Sequence, residues 1–114
     1  WESANIAANQ HLKNLTVFVD WNGSAAQLQP IDDLENKWKS FGWSTITIDG
    51  HDDNQLEDAY KEQIKNDLNK PSVIILRNVK GKGVSFLEGH GSWHHKIPNE
   101  KEYELIMEEL NEKN

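Results

Sequence analysis

Apolar and polar positions along the chain alternate between helical and extended spacing. Ile6, Ala7, Ala8 and Leu12 give Asn5–Leu12 the spacing of a helix that runs back towards Trp1. Leu15–Val19 is a short, β-branched apolar run bounded by polar residues, the pattern of a strand buried on both faces. Asp20-Trp-Asn-Gly23 then predicts a tight turn, and residues 24–31 a loop. Asp32 or Asp33 can cap a helix through Trp38 to Phe41, and Gly42 stops it. Trp43–Ile48 alternates as a second strand and ends at Asp49-Gly50. Leu56, Ala59, Tyr60, Ile64 and Leu68 fall on one stripe of a helix over Asn54–Leu68, which must end before Pro71. Val73–Leu76 is the third apolar strand. The Gly-rich Lys80–Gly83 and a histidine-bearing loop lead to a last helix, Glu100–Asn111. Its apolar face carries Tyr103, Ile106, Met107 and Leu110, and Glu108, Glu109 and Glu112 are expected on a solvated face.

Strands alternating with helices predict an α/β fold: a parallel sheet covered by helices on both faces, in three layers. Three strands make a thin sheet, so at least one edge is expected to pair with chain outside this sequence. The opening Trp1-Glu2-Ser3-Ala4 has no methionine and no cap before an amphipathic run, which reads as a cut in or just before a helix. Trp38 and Trp43 are expected in the core.

The 114 residues suffice for one core and one small domain, spanning 1–114. Hydrophobic residues at 36% and charged residues at 27% are globular proportions. A formal net charge of -7 argues against nucleic acid and anionic membrane as partners, since both need cationic contacts. The chain has no cysteine, which removes disulfides and cysteinyl metal sites and suits a reducing compartment, with a cytoplasmic location expected. No run approaches the roughly 20 apolar residues of a membrane span.

Ligands of open α/β sheets bind beyond the carboxyl ends of the strands, which directs attention to 20–24, 49–52 and 78–83. Asn22 offers a neutral carbonyl oxygen beside exposed backbone carbonyls, a donor type hard cations accept; an ordinary Asn-Gly turn has the same sequence. In Lys80-Gly-Lys-Gly83, glycines allow close backbone approach and a lysine can meet a phosphate; a surface loop reads the same way, and the spacing is not that of a P-loop. His90, His94 and His95 lie close in sequence and could ligate a transition metal, or position a ring for proton handling or substrate contact.

An ordered set of segments carries a resemblance. Trp1-Glu2, Asn14–Gly23, Phe41-Gly-Trp43, Ile48–Asp52, Lys80–Phe86 and Trp93-His94 together resemble transketolases, in register over nearly the whole chain. The resemblance implies a thiamine-diphosphate-binding fold, here the second half of the diphosphate-binding domain. It also implies transfer of a two-carbon ketol unit from a ketose phosphate to an aldose phosphate. Asn22 matches a side-chain ligand of the divalent metal (Mg²⁺, or Ca²⁺) that bridges the diphosphate, and Ser24 a position giving that metal a backbone carbonyl. Both thus belong to the cofactor site. Lys80 matches a cofactor contact, and His94 a histidine near the cofactor and substrate oxygens. Glu2 matches a glutamate of the carboxylate network that links the two active sites near the dimer interface. Gly50 and His51 belong to a family-like strand-end motif with no role assigned.

The family's Gly-Asp-Gly motif, whose aspartate supplies the carboxylate ligand, would lie before Trp1. The upstream half-domain and the pyrimidine-binding domain are therefore expected partners, within a homodimer or an assembly of two subunits, and this segment alone is expected to be inactive. His95 stands where many members have glycine. A related thiamine-diphosphate enzyme, such as a deoxyxylulose phosphate synthase or a dihydroxyacetone-forming ketolase, and a non-catalytic half-domain serving as a binding module are the alternatives.

Overall fold

The computed structural model describes residues 1–25, 30–65, 68–89 and 91–112. Its elements are α1 (Glu2–Asn9), β1 (Thr16–Trp21), α2 (Leu34–Ser40), β2 (Ser44–Asp49), α3 (Asp53–Ile64), β3 (Ser72–Arg77), a 3₁₀ turn at Gly91–His94, and α4 (Glu100–Glu112). The three strands form one parallel sheet in the order β1-β3-β2.

Element boundaries moved where backbone pairing overrode the apolar pattern. β1 continues to Trp21 because β3 pairs with it residue for residue up to Trp21↔Arg77, and the Arg77 guanidinium lies 5.5 Å from the Trp21 ring centre. The turn after β1 thus starts later than the sequence suggests. Trp43 stays outside β2 because its N–H closes the end of α2, donating to the Trp38 carbonyl at 3.3 Å. α1 ends at Asn9, short of Leu12, and His11 turns the chain with φ 53. Asp33 caps α2, its carboxylate accepting from the Asn36 N–H. α3 starts one residue earlier than expected, capped by Asp52, which accepts from the N–H groups of Asn54 and Gln55. It ends at Ile64; positions 66–67 of the longer expected helix and 26–29 of the expected loop lie outside the described residues.

Period-2 alternation sends the strand side chains to two cores. On one face Val73 and Ile75 pack with Ala4, Ala7, Leu34 and Trp43, so α1 and α2 cover that side. On the other, Ile74 and Ile48 pack with Ala59 of α3. Val73, Ile74 and Ile75 are fully buried because β3 is central and covered on both faces, each side chain contributing about 1.5–3 kcal/mol. Trp43 is buried and donates its indole N–H to the Ala4 carbonyl at 2.8 Å, while Trp38 is partly buried with its ring 4.7 Å from that of Trp43.

The α3 side of β1 is less covered. Phe18 and Tyr60 are about half exposed with ring centres 6.3 Å apart, and with Gln63 and Ile64 they line an open groove of about 840 Å³. The Cα radius of gyration is 17.3 Å, against about 13 Å for a compact domain of this length. Among the described residues no helix is long and apolar enough to cross a membrane.

Candidate functional site at the carboxyl ends of the strands

The three parallel strands deliver their last residues to one edge of the sheet, and side chains there form a continuous hydrogen-bonded set. Asp20, near the end of β1, accepts from the Asn22 Nδ2 at 2.9 Å through one carboxylate oxygen. Its other oxygen accepts from the Asn78 Nδ2 at 2.7 Å, from the residue that follows β3. Asn22 Oδ1 accepts from the Ser24 N–H at 2.9 Å, closing a turn around Gly23, whose φ of 77 suits glycine. Among the described residues the Asn78 Oδ1, which is buried, has no hydrogen-bond partner.

The end of β2 is locked to the same place. The Gly50 N–H donates to the Arg77 carbonyl at 3.1 Å. A Cβ on Gly50 would stand 1.8 Å from the Asn78 Oδ1, so the close approach of these two chain segments requires glycine. His51 follows, with its N–H donating to the Asp49 carboxylate at 2.9 Å and its Nε2 accepting from the Val79 N–H at 2.8 Å. An Nε2 that accepts from a backbone amide carries no proton, which places the ring proton of His51 on Nδ1.

Lys80 comes next. The loop after it is fixed by the Gly89 N–H donating to the Lys80 carbonyl at 2.8 Å and by burial of Val84. Phe86 and Trp93 meet edge to face at 5.6 Å, which folds the chain back so that the 3₁₀ turn brings His94 to Lys80. The Lys80 Nζ lies 3.1 Å from the His94 Nδ1. An ammonium only donates, so His94 Nδ1 accepts and the neutral ring carries its proton on Nε2. Among the described residues Lys80 has no carboxylate partner. His95 packs edge to face on His94 at 4.6 Å. His90 lies outside the described residues, and no group of three or more metal-binding side chains occurs among the described ones.

Asn22, Ser24, Lys80 and His94 thus follow strands that end at one edge of the sheet. Glu2 does not join them. It sits in the first turn of α1 with its side chain 97% exposed, and its carboxylate meets the chain's own terminal amino group at 3.4 Å. Sequence reasoning directed attention to 20–24 and 78–83 but gave Asp20 and Asn78 no role. The i, i+2 spacing of Asp20 and Asn22 was the available local signal, since such residues face the same way in an extended chain; nothing local pointed to Asn78. It also placed Glu109 on a solvated face, whereas the carboxylate accepts from both the N–H and the hydroxyl of Ser85 at 2.6 Å and ties α4 to this loop.

Residues 1–111 match the family described as transketolase, thiamine diphosphate binding domain. The 6-deoxy-6-sulfo-D-fructose transketolase subunit of a Clostridium species is 37% identical over 115 residues, covering 96% of this chain and 42% of that protein. An apulose-4-phosphate transketolase subunit of Actinobacillus succinogenes is also 37% identical over 115 residues, covering 96% of this chain and 41% of the relative. Human transketolase is 31% identical, with 95% of this chain matching 18% of its length. The chain therefore spans about two fifths of the subunit relatives and less of human transketolase. Among solved structures, Campylobacter jejuni transketolase superposes with a TM-score of 0.83 at 23% identity over 96% of this chain and 18% of its own. Transketolase from Pichia stipitis in complex with sedoheptulose 7-phosphate gives 0.84 at 22% identity over 96% and 17%. These two likenesses establish the fold. The family match and the relatives above 30% identity establish the lineage: the chain belongs to the transketolase family, within its thiamine diphosphate binding domain.

Proposed function

We propose that this chain is the second half of a diphosphate-binding domain and supplies the diphosphate-facing part of an enzyme that transfers a two-carbon ketol unit from a ketose phosphate to an aldose phosphate. Asn22 through Oδ1 and Ser24 through its carbonyl hold a divalent cation, Mg²⁺ or Ca²⁺. Lys80 binds the cofactor as a point charge. The donor set fits such a group. Carboxamide and peptide oxygens suit a hard cation whose other ligands are phosphate oxygens and a carboxylate from elsewhere in the enzyme. Asn22 Oδ1 keeps a second lone pair beyond the Ser24 contact. When bound, thiamine diphosphate supplies the carbon nucleophile and electron sink for cleavage beside a ketose carbonyl.

The observation that carries this reading is the Lys80–His94 contact. It leaves the ammonium with donors to spare and His94 with a proton on Nε2, so one pair offers a cation for phosphate and a hydrogen bond for an oxygen that gains negative charge. Glu2, exposed on α1, belongs to a carboxylate network completed by a second protomer. The upstream half-domain and a pyrimidine-binding domain complete the site, in a homodimer or, as the subunit relatives suggest, an assembly of two subunits.

The test uses the complete enzyme with its partner domains, thiamine diphosphate and Mg²⁺, and a panel of ketose donors. Sugars named for the relatives, 6-deoxy-6-sulfo-D-fructose and apulose 4-phosphate, belong beside ordinary ketose phosphates. Ketol transfer is expected with at least one donor. Lys80→Ala is expected to weaken cofactor binding about tenfold, and His94→Ala to lower kcat on the order of 10²-fold with cofactor affinity kept. No transfer from any donor, together with unchanged cofactor affinity in Lys80→Ala, overturns the proposal.

A further inference from the structure

We infer that Asp20 is a positioning residue for the cation end of the site, acting through Asn22; this rests on the reading above that Asn22 ligates the divalent ion. An ionised carboxylate only accepts hydrogen bonds, so both amides that meet Asp20 must present Nδ2 to it. For Asn22 this decides which end of a nearly symmetric group faces which way. The NH₂ is turned back towards β1, and the carbonyl oxygen is turned towards Ser24 and the strand-end opening. Without Asp20 the Ser24 N–H alone holds the carboxamide against the rotation that would offer a cation its NH₂, which repels it.

The second carboxylate oxygen ties this turn to the centre of the sheet. Asn78 follows β3, donates its own backbone N–H to the Trp21 carbonyl at 3.3 Å, and is confined by the notch at Gly50. Asp20 therefore refers the orientation of Asn22 to a backbone position that the most buried strand fixes. Both of its contacts have the short distances of charge-assisted hydrogen bonds. The sequence separation between Asp20 and Asn78 makes this a tertiary constraint, whereas a turn needing only local stability already has the Asn22–Ser24 contact.

Asp20→Asn is the informative substitution. It keeps the size but replaces one acceptor oxygen with a donor, so one of the two facing amides must turn over or lose its bond. In the complete enzyme, the expected effect is a rise of roughly 10–100-fold in the Mg²⁺ concentration that half-saturates thiamine diphosphate binding, read by tryptophan quenching without substrate. Cofactor binding should recover at saturating Mg²⁺. Because Asp20 acts through Asn22, Asp20→Asn combined with Asn22→Ala should bind no worse than Asn22→Ala alone. A merely structural role would instead lower the melting temperature of the ion-free enzyme and add to the Asn22→Ala effect; additive losses, or an unchanged Mg²⁺ requirement in Asp20→Asn, overturn the inference. If Asn22→Ala itself leaves the Mg²⁺ requirement unchanged, the reading of Asn22 as a ligand fails first and the role of Asp20 fails with it.

Discussion

Adding one methyl group at Gly50 tests how tightly the strand ends are packed. The Gly50 backbone is not in the left-handed region, so alanine meets no torsional strain there and reduces the entropy of the unfolded chain, a gain of about 0.4–1 kcal/mol. The cost is steric. The new Cβ would stand 1.8 Å from the Asn78 Oδ1, 2.8 Å from its Cγ and 2.9 Å from the Leu76 Cβ. Asn78 must swing away, and its 2.7 Å bond to Asp20 is lost. Overpacking costs about 1–3 kcal/mol, and losing a hydrogen bond to an exposed carboxylate adds about 1 kcal/mol. The net for Gly50→Ala is a destabilisation of about 1–3.5 kcal/mol, measured by urea unfolding followed through tryptophan fluorescence. Asn78→Ala removes the carboxamide that blocks the site but leaves Leu76 in place, so the same glycine change in that background should cost about 1 kcal/mol or less. An equal penalty in both backgrounds, or a Gly50→Ala protein within about 0.5 kcal/mol of the parent, would refute the argument.

Trp43→Phe removes the indole N–H that the buried Ala4 carbonyl accepts and leaves space beside α1, so the urea midpoint should fall by the equivalent of about 2–4 kcal/mol; a loss under 1 kcal/mol would mean that Trp43 does not tie α1 to the sheet. The carboxyls of Glu35, Asp52 and Glu102 are among those held below the usual carboxylate range: Glu35 by the Lys39 ammonium and the Thr47 hydroxyl, Asp52 by the Gln55 side-chain and backbone N–H groups, and Glu102 by the Lys96 ammonium. Their folded values lie below their unfolded ones, so their contribution is complete above the ordinary carboxylate range and is lost as pH falls through the lowered values. The melting temperature should drop on acidification from pH 5 to pH 3, and Glu35→Gln should make that drop shallower; a parent whose melting temperature is flat over this interval would contradict it.

The strands were legible because Leu15–Val19, Trp43–Ile48 and Val73–Leu76 are dense in β-branched and apolar residues. Their order was not, since three apolar runs of similar character carry no mark that says which lies in the middle. Helix starts were legible where a short acidic side chain can accept from the first free N–H groups, as Asp33 does. At the strand ends, the residues that the family resemblance marks were legible by motif. The partners that hold them were not. Asp20 meets Asn78, and Ser85 meets Glu109, only after the chain has folded, and in each case an exposed-looking polar residue gives no local sign of its mate.

Placing β3 between β1 and β2 gives the chain a particular order of assembly. Thr16 and Ser44 both find their ladder partner in Ser72, and within this chain the two earlier strands have no bonds to each other. As the polypeptide leaves the ribosome, the edges of β1 and β2 that face β3 therefore stay open until β3 emerges and closes both ladders together. Neither of these two ladders can form before residue 72 has been synthesised, which makes their pairing non-local and leaves the facing edges of two apolar strands exposed to wrong pairing in the interval.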